Sequence, residues 1–289
     1  MSNELSGVVF INGEFKGANE AKISVFDRGF IFGDGVYEVV PVVLGQLVDK
    51  AGFWQRFKDS LSAIELTLPY LQDEFEAILR QIIAKNELNE GGIYIQITRG
   101  VAERTFEFVK NITPSVFIFC YKADVLNPEL ANSGISVVSV DDIRWRRRDI
   151  KSISLLAQCL AKNEAVKKGA YEGIMVENGV VSEGCSSSVF IIKDDVLITK
   201  PLSNEILPGI RRQNLLKIAT DLGLKIEFRN FSINEVYLAN EAFISAATLI
   251  LLPIIKADER LINGGKIGKY TKKLREIYAN NLINEAKNS

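Results

Sequence analysis

The chain has 289 residues, 47% of them hydrophobic and 25% charged, as expected of a globular protein that buries a sizeable core. Its 36 acids offset 35 bases for a net charge of −1, which argues against a nucleic-acid-binding domain. It has no histidine, and this excludes Ser-His-Asp triads, Cys-His dyads and histidine-held metals.

The start, "MSNELSGVVF", has neither a basic lead nor an apolar core, so no signal peptide is expected. "VVFI" and "EFKG" flank Asn12-Gly13, a favoured two-residue hairpin turn. "GVYEVVPVVLGQLVD" predicts two strands about Gly45, and "FWQRFKDS" an amphipathic helix carrying Arg56. "DEFEAILRQIIAKNE" places Phe75, Ile78, Leu79, Ile82 and Ile83 at helical spacing. "GIYIQITRG" and "SVFIFCYK" are strand-like.

The polar stretch 124–135 has no strong period and predicts a linker. A smaller N-terminal domain, 1–123, then precedes a larger C-terminal domain, 136–289. The latter opens on the strand "ISVVSV". A helix "SLLAQCLAKNEAVKK", closed by Gly169, follows Lys151. A hairpin is predicted on Asn178-Gly179, a strand pair about Asp194-Asp195, and a helix after Pro208-Gly209. Ser232 and Glu235 suit a capping box, "AFISAATLILLPII" reads as a buried strand and its turn, and a long charged helix ends the chain. Strands and helices mix without strict βαβ alternation, which predicts an α+β fold.

Cys120, Cys159 and Cys185 form no CxxC pair, so a zinc ribbon is excluded and a reducing, cytoplasmic location is expected. Cys159 and Cys185 read as structural, and Cys159, on the apolar face of its predicted helix, is expected to be buried.

Arg144, Arg146, Arg147, Arg148 and Lys151 crowd one segment, "DDIRWRRRDIKS". A solvated face is the ordinary reading of such a run. Lys151, however, sits where a strand-like segment gives way to a helix. Cations around an amine disfavour its protonated form and expose a nucleophile. A lysine that carries pyridoxal phosphate needs three companions. One is a carboxylate at the ring nitrogen, the second an arginine with a helix N-terminus at the phosphate, the third small residues near the ring. Glu183 in "VVSEGCSSSVF", the helix start "LPGIRR" and Arg56 are candidates. Each alone is as readily an exposed acid, an ordinary Pro-Gly turn or a surface arginine.

The segments "DRGFIFGDGVYEVV", "DIRWRRRDIKSISLL", "GAYEGIMVENGVVSEGCSSSVF" and "ILPGIRR" resemble, in order and spacing, the class IV (fold type IV) pyridoxal-phosphate aminotransferases. The resemblance runs from about Ile11 to about Tyr278, and "FGDGVYEVV" and "DIRW" are most similar to the D-amino-acid enzymes. It implies a two-domain enzyme that takes an amino group from a D-amino acid such as D-alanine to 2-oxoglutarate or pyruvate. It also implies a homodimer, with no nucleic acid, membrane or metal. Carried over, Lys151 is the Schiff-base lysine, Glu183 meets the ring nitrogen, and Arg56 binds phosphate with the backbone amides of Ile210 and Arg211. Tyr37 lies beside cofactor and substrate, and Arg104 meets the substrate carboxylate. Arg148, Ser186, Ser187 and Leu207 lie nearby.

Four positions depart from the family pattern. Phe106 replaces a histidine two residues beyond Arg104, Arg211 and Ala247 stand where threonine is usual, and Ser188 replaces an asparagine. These bear on the substrate more than on the cofactor. Branched-chain L-amino-acid transfer, aminodeoxychorismate lysis and (R)-amine transfer are the alternatives within the family. A nucleic-acid module on Arg144 to Arg148 and a non-catalytic partner protein are those outside it.

Overall fold

A computed structural model of the chain describes residues 7–289. Residues 1–6, on which the expectation of no signal peptide partly rests, lie outside the described residues. The chain divides into two units. The first takes the residues up to Ala123, Ile150–Ser154 and Ile283–Ser289, and the second takes Asp124–Asp149 and Leu155–Leu282. The stretch 124–135 is more than a linker. It holds the short helix Glu129–Ser133, buries Ala131 and groups with the second unit.

In the first unit a six-stranded antiparallel sheet has the spatial order Glu14–Gly17, Val8–Ile11, Ser115–Lys122, Gly91–Thr98, Gly35–Val43, Gln46–Leu47. Asn12 and Gly13 both take positive φ, 47° and 95°, which suits the twist of their hairpin. The helices Lys50–Ala63 and Gln72–Lys85 bury Phe53, Phe57, Phe75 and Leu79, with the Phe57 and Phe75 rings 6.1 Å apart.

The strand Gly35–Val43 alternates as a pleated strand must. Val36, Glu38 and Val40 are fully buried, while Tyr37 and Val39 face the other side half-exposed. The segment Ile150–Ser154 runs beside this strand. The Tyr37 N–H donates to the Lys151 carbonyl at 2.9 Å, and the Ile153 N–H to the Gly35 carbonyl at 3.2 Å. A Cβ on Gly35 would come 2.5 Å from the Ile97 carbonyl oxygen and 3.1 Å from Ile153, so the approach requires glycine there.

In the second unit a mixed sheet of nine strands has the order Lys225–Phe228, Val196–Thr199, Ser188–Lys193, Glu241–Ser245, Leu252–Ala257, Ile135–Asp141, Glu172–Glu177, Val180–Gly184, with Arg260–Leu261 pairing Leu252–Ala257. Three adjacent pairs are parallel and the rest antiparallel. The core gathers Ile135, Val137, Ile174, Val181, Val189, Ile244 and Leu252. Asn178 and Gly179 take positive φ in the predicted hairpin, and Ser232 and Glu235 form the predicted capping box.

Two local expectations are corrected. The helix after Lys151 begins only at Leu156, so Lys151 lies in irregular chain well beyond the strand ending at Asp141. Cys159 is exposed, because that helix turns Ala161 and Ala165 inward and leaves Leu156 and Leu160 outward as well. Cys185 is buried, and burial pushes its thiol up to about 12. No helix among the described residues is long and apolar enough to cross a membrane.

Candidate active site

Within the first unit, Lys151 is half-buried and fixed through its backbone. Its N–H donates to Ser60 Oγ at 3.2 Å, and its carbonyl accepts from Tyr37. Its Nζ stands 4.1 Å from the centre of the Tyr37 ring, a cation–π contact. Tyr37 stacks on Tyr94 at 5.5 Å, and Tyr94 donates its hydroxyl to Gln96. Lys151 and Tyr37 are thus brought together, with the amine against an aromatic face and its backbone locked.

Arg56 is buried on the helix Lys50–Ala63. Its Nε and Nη2 grip the two oxygens of Glu38, each at 2.7 Å. The bidentate fork holds the guanidinium in one orientation. The sequence reading missed Glu38. A carboxylate at an inward position of the alternation Val36, Glu38, Val40 was the available signal that a cation must meet it.

Arg104 lies on an exposed loop, flanked by the rings of Phe32 at 5.6 Å and Phe106 at 5.5 Å. The two rings are 5.6 Å apart, and Phe106 is 80% exposed. Buried cations anchor this loop. Arg28 donates to the Thr105 carbonyl at 2.6 Å and Arg99 lies 3.6 Å over the Phe108 ring, while both arginines share Asp34. Phe106 therefore contributes an aromatic face beside Arg104 in place of a hydrogen-bond donor.

Within the second unit, Glu183 is buried on the strand Val180–Gly184. Its Oε2 accepts from Arg144 Nη1 at 2.7 Å and its Oε1 from the Leu207 N–H at 3.0 Å. Burial pushes Glu183 above the usual carboxylate range, against the pull of Arg144 and the Leu207 N–H. Each oxygen keeps further acceptor capacity for a protonated ring nitrogen.

The arginine run is mostly a set of ion pairs. Arg144 binds Asp142 and Glu183, Arg147 binds Asp149, and Arg148 binds Asp142 and Glu177. Arg144 and Arg148 are nearly inaccessible side chains, so they form neither a nucleic-acid stripe nor a free cation field for Lys151.

At the helix Ile210–Asp221, the cap residue Gly209 supplies no side chain, which leaves the positive end of the helix to an anion. A Cβ at Gly209 would lie 2.7 Å from Ser188 Oγ, and Ser188 pairs directly with Ser245. The hydroxyls of Ser187 and Ser245 are buried without a protein partner. Ser186, its neighbour, is exposed. Arg211 turns its side chain aside, donating from Nε and Nη2 to the Ala247 carbonyl at 3.0 and 2.7 Å, so Arg211 faces the helix start with its backbone. An uncapped helix start, orphaned serine hydroxyls and a buried acid with acceptor capacity fit pyridoxal phosphate, at its phosphate and its ring nitrogen respectively.

Residues 35–257 match the model of the amino-transferase class IV family. The chain belongs to that family and is an aminotransferase. Its relatives include a D-alanine aminotransferase of Staphylococcus aureus, 40% identical over 93% of this chain and 95% of that protein. The branched-chain amino acid aminotransferase of Escherichia coli superposes with a TM-score of 0.88 at 25% identity, covering 96% of this chain and 95% of its own. A T.th. branched-chain amino acid aminotransferase solved with pyridoxamine 5'-phosphate has the same fold at TM-score 0.88 and 24% identity, covering 95% and 93%. The two-sheet α+β architecture is the fold type IV aminotransferase fold.

Proposed function

We propose that the chain transfers the amino group of a D-amino acid, D-alanine among them, to a 2-oxo acid such as 2-oxoglutarate, using pyridoxal phosphate. The observation that carries this reading is the near full-length likeness to D-alanine aminotransferases, 40% identical over 93% of the chain. Lys151 against Tyr37 and Glu183 between Arg144 and Leu207 support the individual roles.

When bound, pyridoxal phosphate supplies the electron sink for charge at the substrate Cα. Lys151 Nζ would hold the cofactor at its aldehyde carbon and would move the proton on and off the substrate Cα. Tyr37 keeps that amine against an aromatic face. Glu183 holds the ring nitrogen protonated. Arg56, oriented by Glu38, and the backbone N–H groups of Ile210 and Arg211 hold the phosphate, with the buried Ser187 hydroxyl as a further donor. Arg104 takes the substrate carboxylate. The enzyme works in the cytoplasm as a homodimer.

A panel of D- and L-amino acids with 2-oxoglutarate tests the reading. Turnover of D-alanine, D-glutamate or D-aspartate is expected, and activity confined to L-leucine and L-isoleucine would overturn it in favour of branched-chain transfer. Phe106→His adds a donor beside Arg104. A hydrogen bond to a carboxylate is worth about 1.5 kcal/mol or more, so KM for D-alanine should fall roughly tenfold with kcat nearly unchanged. An unchanged KM would remove the loop from carboxylate recognition.

A further inference from the structure

We propose that Asp142 is a positioning residue for the Glu183 site, fixing Arg144 and opposing its charge so that Glu183 can hold a protonated ring nitrogen. The proposal rests on the reading that Glu183 receives that nitrogen.

The Asp142 side chain is wholly buried, at 0% exposure. A carboxylate removed from water survives only when fully partnered. Its Oδ1 accepts from Arg144 Nε at 3.0 Å, and its Oδ2 accepts from Arg144 Nη2 at 2.7 Å and Ser182 Oγ at 2.5 Å. Arg148 Nη1 adds an ion pair at 3.3 Å. One edge of the Arg144 fork is therefore locked onto Asp142, and the remaining Nη1 is aimed at Glu183 Oε2. Asp142 reaches Glu183 by its field and by setting Arg144, not by a hydrogen bond of its own.

The charges explain why the intermediary matters. Asp142, Glu177 and Glu183 set three carboxylates against the two guanidiniums of Arg144 and Arg148. The buried Arg212 also acts on Glu183 and brings the cluster to balance, and the charge on Asp142 keeps the cations from outweighing the acids there. The field of Asp142 also acts on Glu183 in the sense opposite to that of Arg144. Without the charge on Asp142, Arg144 would face Glu183 alone. The Arg144–Glu183 ion pair, already formed at 2.7 Å, would then stand unopposed, and the ring nitrogen would lose its proton more readily.

The test compares wild type with Asp142→Asn, Ser182→Ala, Glu183→Gln and the Asp142→Asn/Glu183→Gln double variant. Two quantities are read: the dissociation constant of pyridoxal 5'-phosphate, and the 15N shift of ring-labelled pyridoxal 5'-phosphate on the holoenzyme. Asp142→Asn is expected to weaken cofactor binding about tenfold, as loss of an outer partner does at other sites, and to move the 15N signal toward the unprotonated position. Ser182→Ala, which removes the hydroxyl's contacts with Asp142, the Met175 carbonyl and Arg144 Nη2 but no charge, should move both the same way by less. In the Glu183→Gln background, Asp142→Asn should change neither quantity further, because its route runs through Glu183. If Glu183→Gln moves the 15N signal and Asp142→Asn does not, the proposal fails while the ring-nitrogen reading stands. If Glu183→Gln leaves the signal in place, that reading itself fails. Should Asp142→Asn not fold, Ser182→Ala decides: an unmoved 15N signal there overturns the proposal.

Discussion

Lys151→Ala should abolish amino transfer while leaving the fold intact. General acid–base catalysis by a placed side chain is worth roughly 10²–10⁴-fold, and loss of the covalent attachment adds to it, so turnover should drop by at least about 10³-fold. The substitution spares the structural work of this residue, which is done by its backbone. The N–H to Ser60 and the carbonyl to Tyr37 both persist with alanine in place. Only the cation–π contact with Tyr37 is lost, worth about 0.5–1 kcal/mol at a partly exposed site, so the melting temperature should move by no more than a few degrees. Borohydride reduction of the wild-type holoenzyme followed by peptide mass spectrometry should place the pyridoxyl group on Lys151, and the variant should carry none. Small primary amines added to the variant should restore part of the proton transfer. An adduct on another lysine, or a variant that still turns over, would refute the assignment.

The features legible in the sequence are the local ones. Hairpins on Asn12-Gly13 and Asn178-Gly179, the helix carrying Phe75 and Leu79, and the capping box at Ser232 each depend on neighbours a few residues apart. The features that escaped depend on strand register and crossing. Arg144 meets Glu183 only because the loop after the strand Ile135–Asp141 returns to the strand Val180–Gly184. From the sequence, that arginine is one cation in a run of cations beside Lys151. Arg144, Arg147 and Arg148 instead neutralise Asp142, Asp149, Glu177 and Glu183, so they are not a free cation field for Lys151. The segment Ile150–Ser154 groups with the first unit although the second unit flanks it on both sides in sequence, and composition carries no trace of such a crossing. Cys159 was misplaced because its helix leaves Leu156 and Leu160 outward too, so the apolar period did not mark the buried face.

Glu38→Ala should be the most destabilising single change at the site. The Glu38 side chain is 0% exposed and that of Arg56 only 8%, and their bond is bidentate. Removing one member of a buried pair leaves an uncompensated charge and costs roughly 3–5 kcal/mol. For a chain of this size that corresponds to a fall in melting temperature on the order of 10 °C. Glu38→Met/Arg56→Met removes both charges and fills similar volume, and buried pairs replaced in this way are often neutral or stabilising, so the double variant should recover most of the lost stability. Cofactor binding should behave differently. The single variant loses the orientation of Arg56 and the double variant loses the guanidinium, so pyridoxal 5'-phosphate should bind more weakly to both, and stability and affinity separate in the double variant. Urea unfolding and cofactor titration on the same three proteins measure the two effects. A double variant that regains stability and binds cofactor as wild type does would show that the pair serves the fold alone, and would move the phosphate to the helix start at Ile210 without help from Arg56.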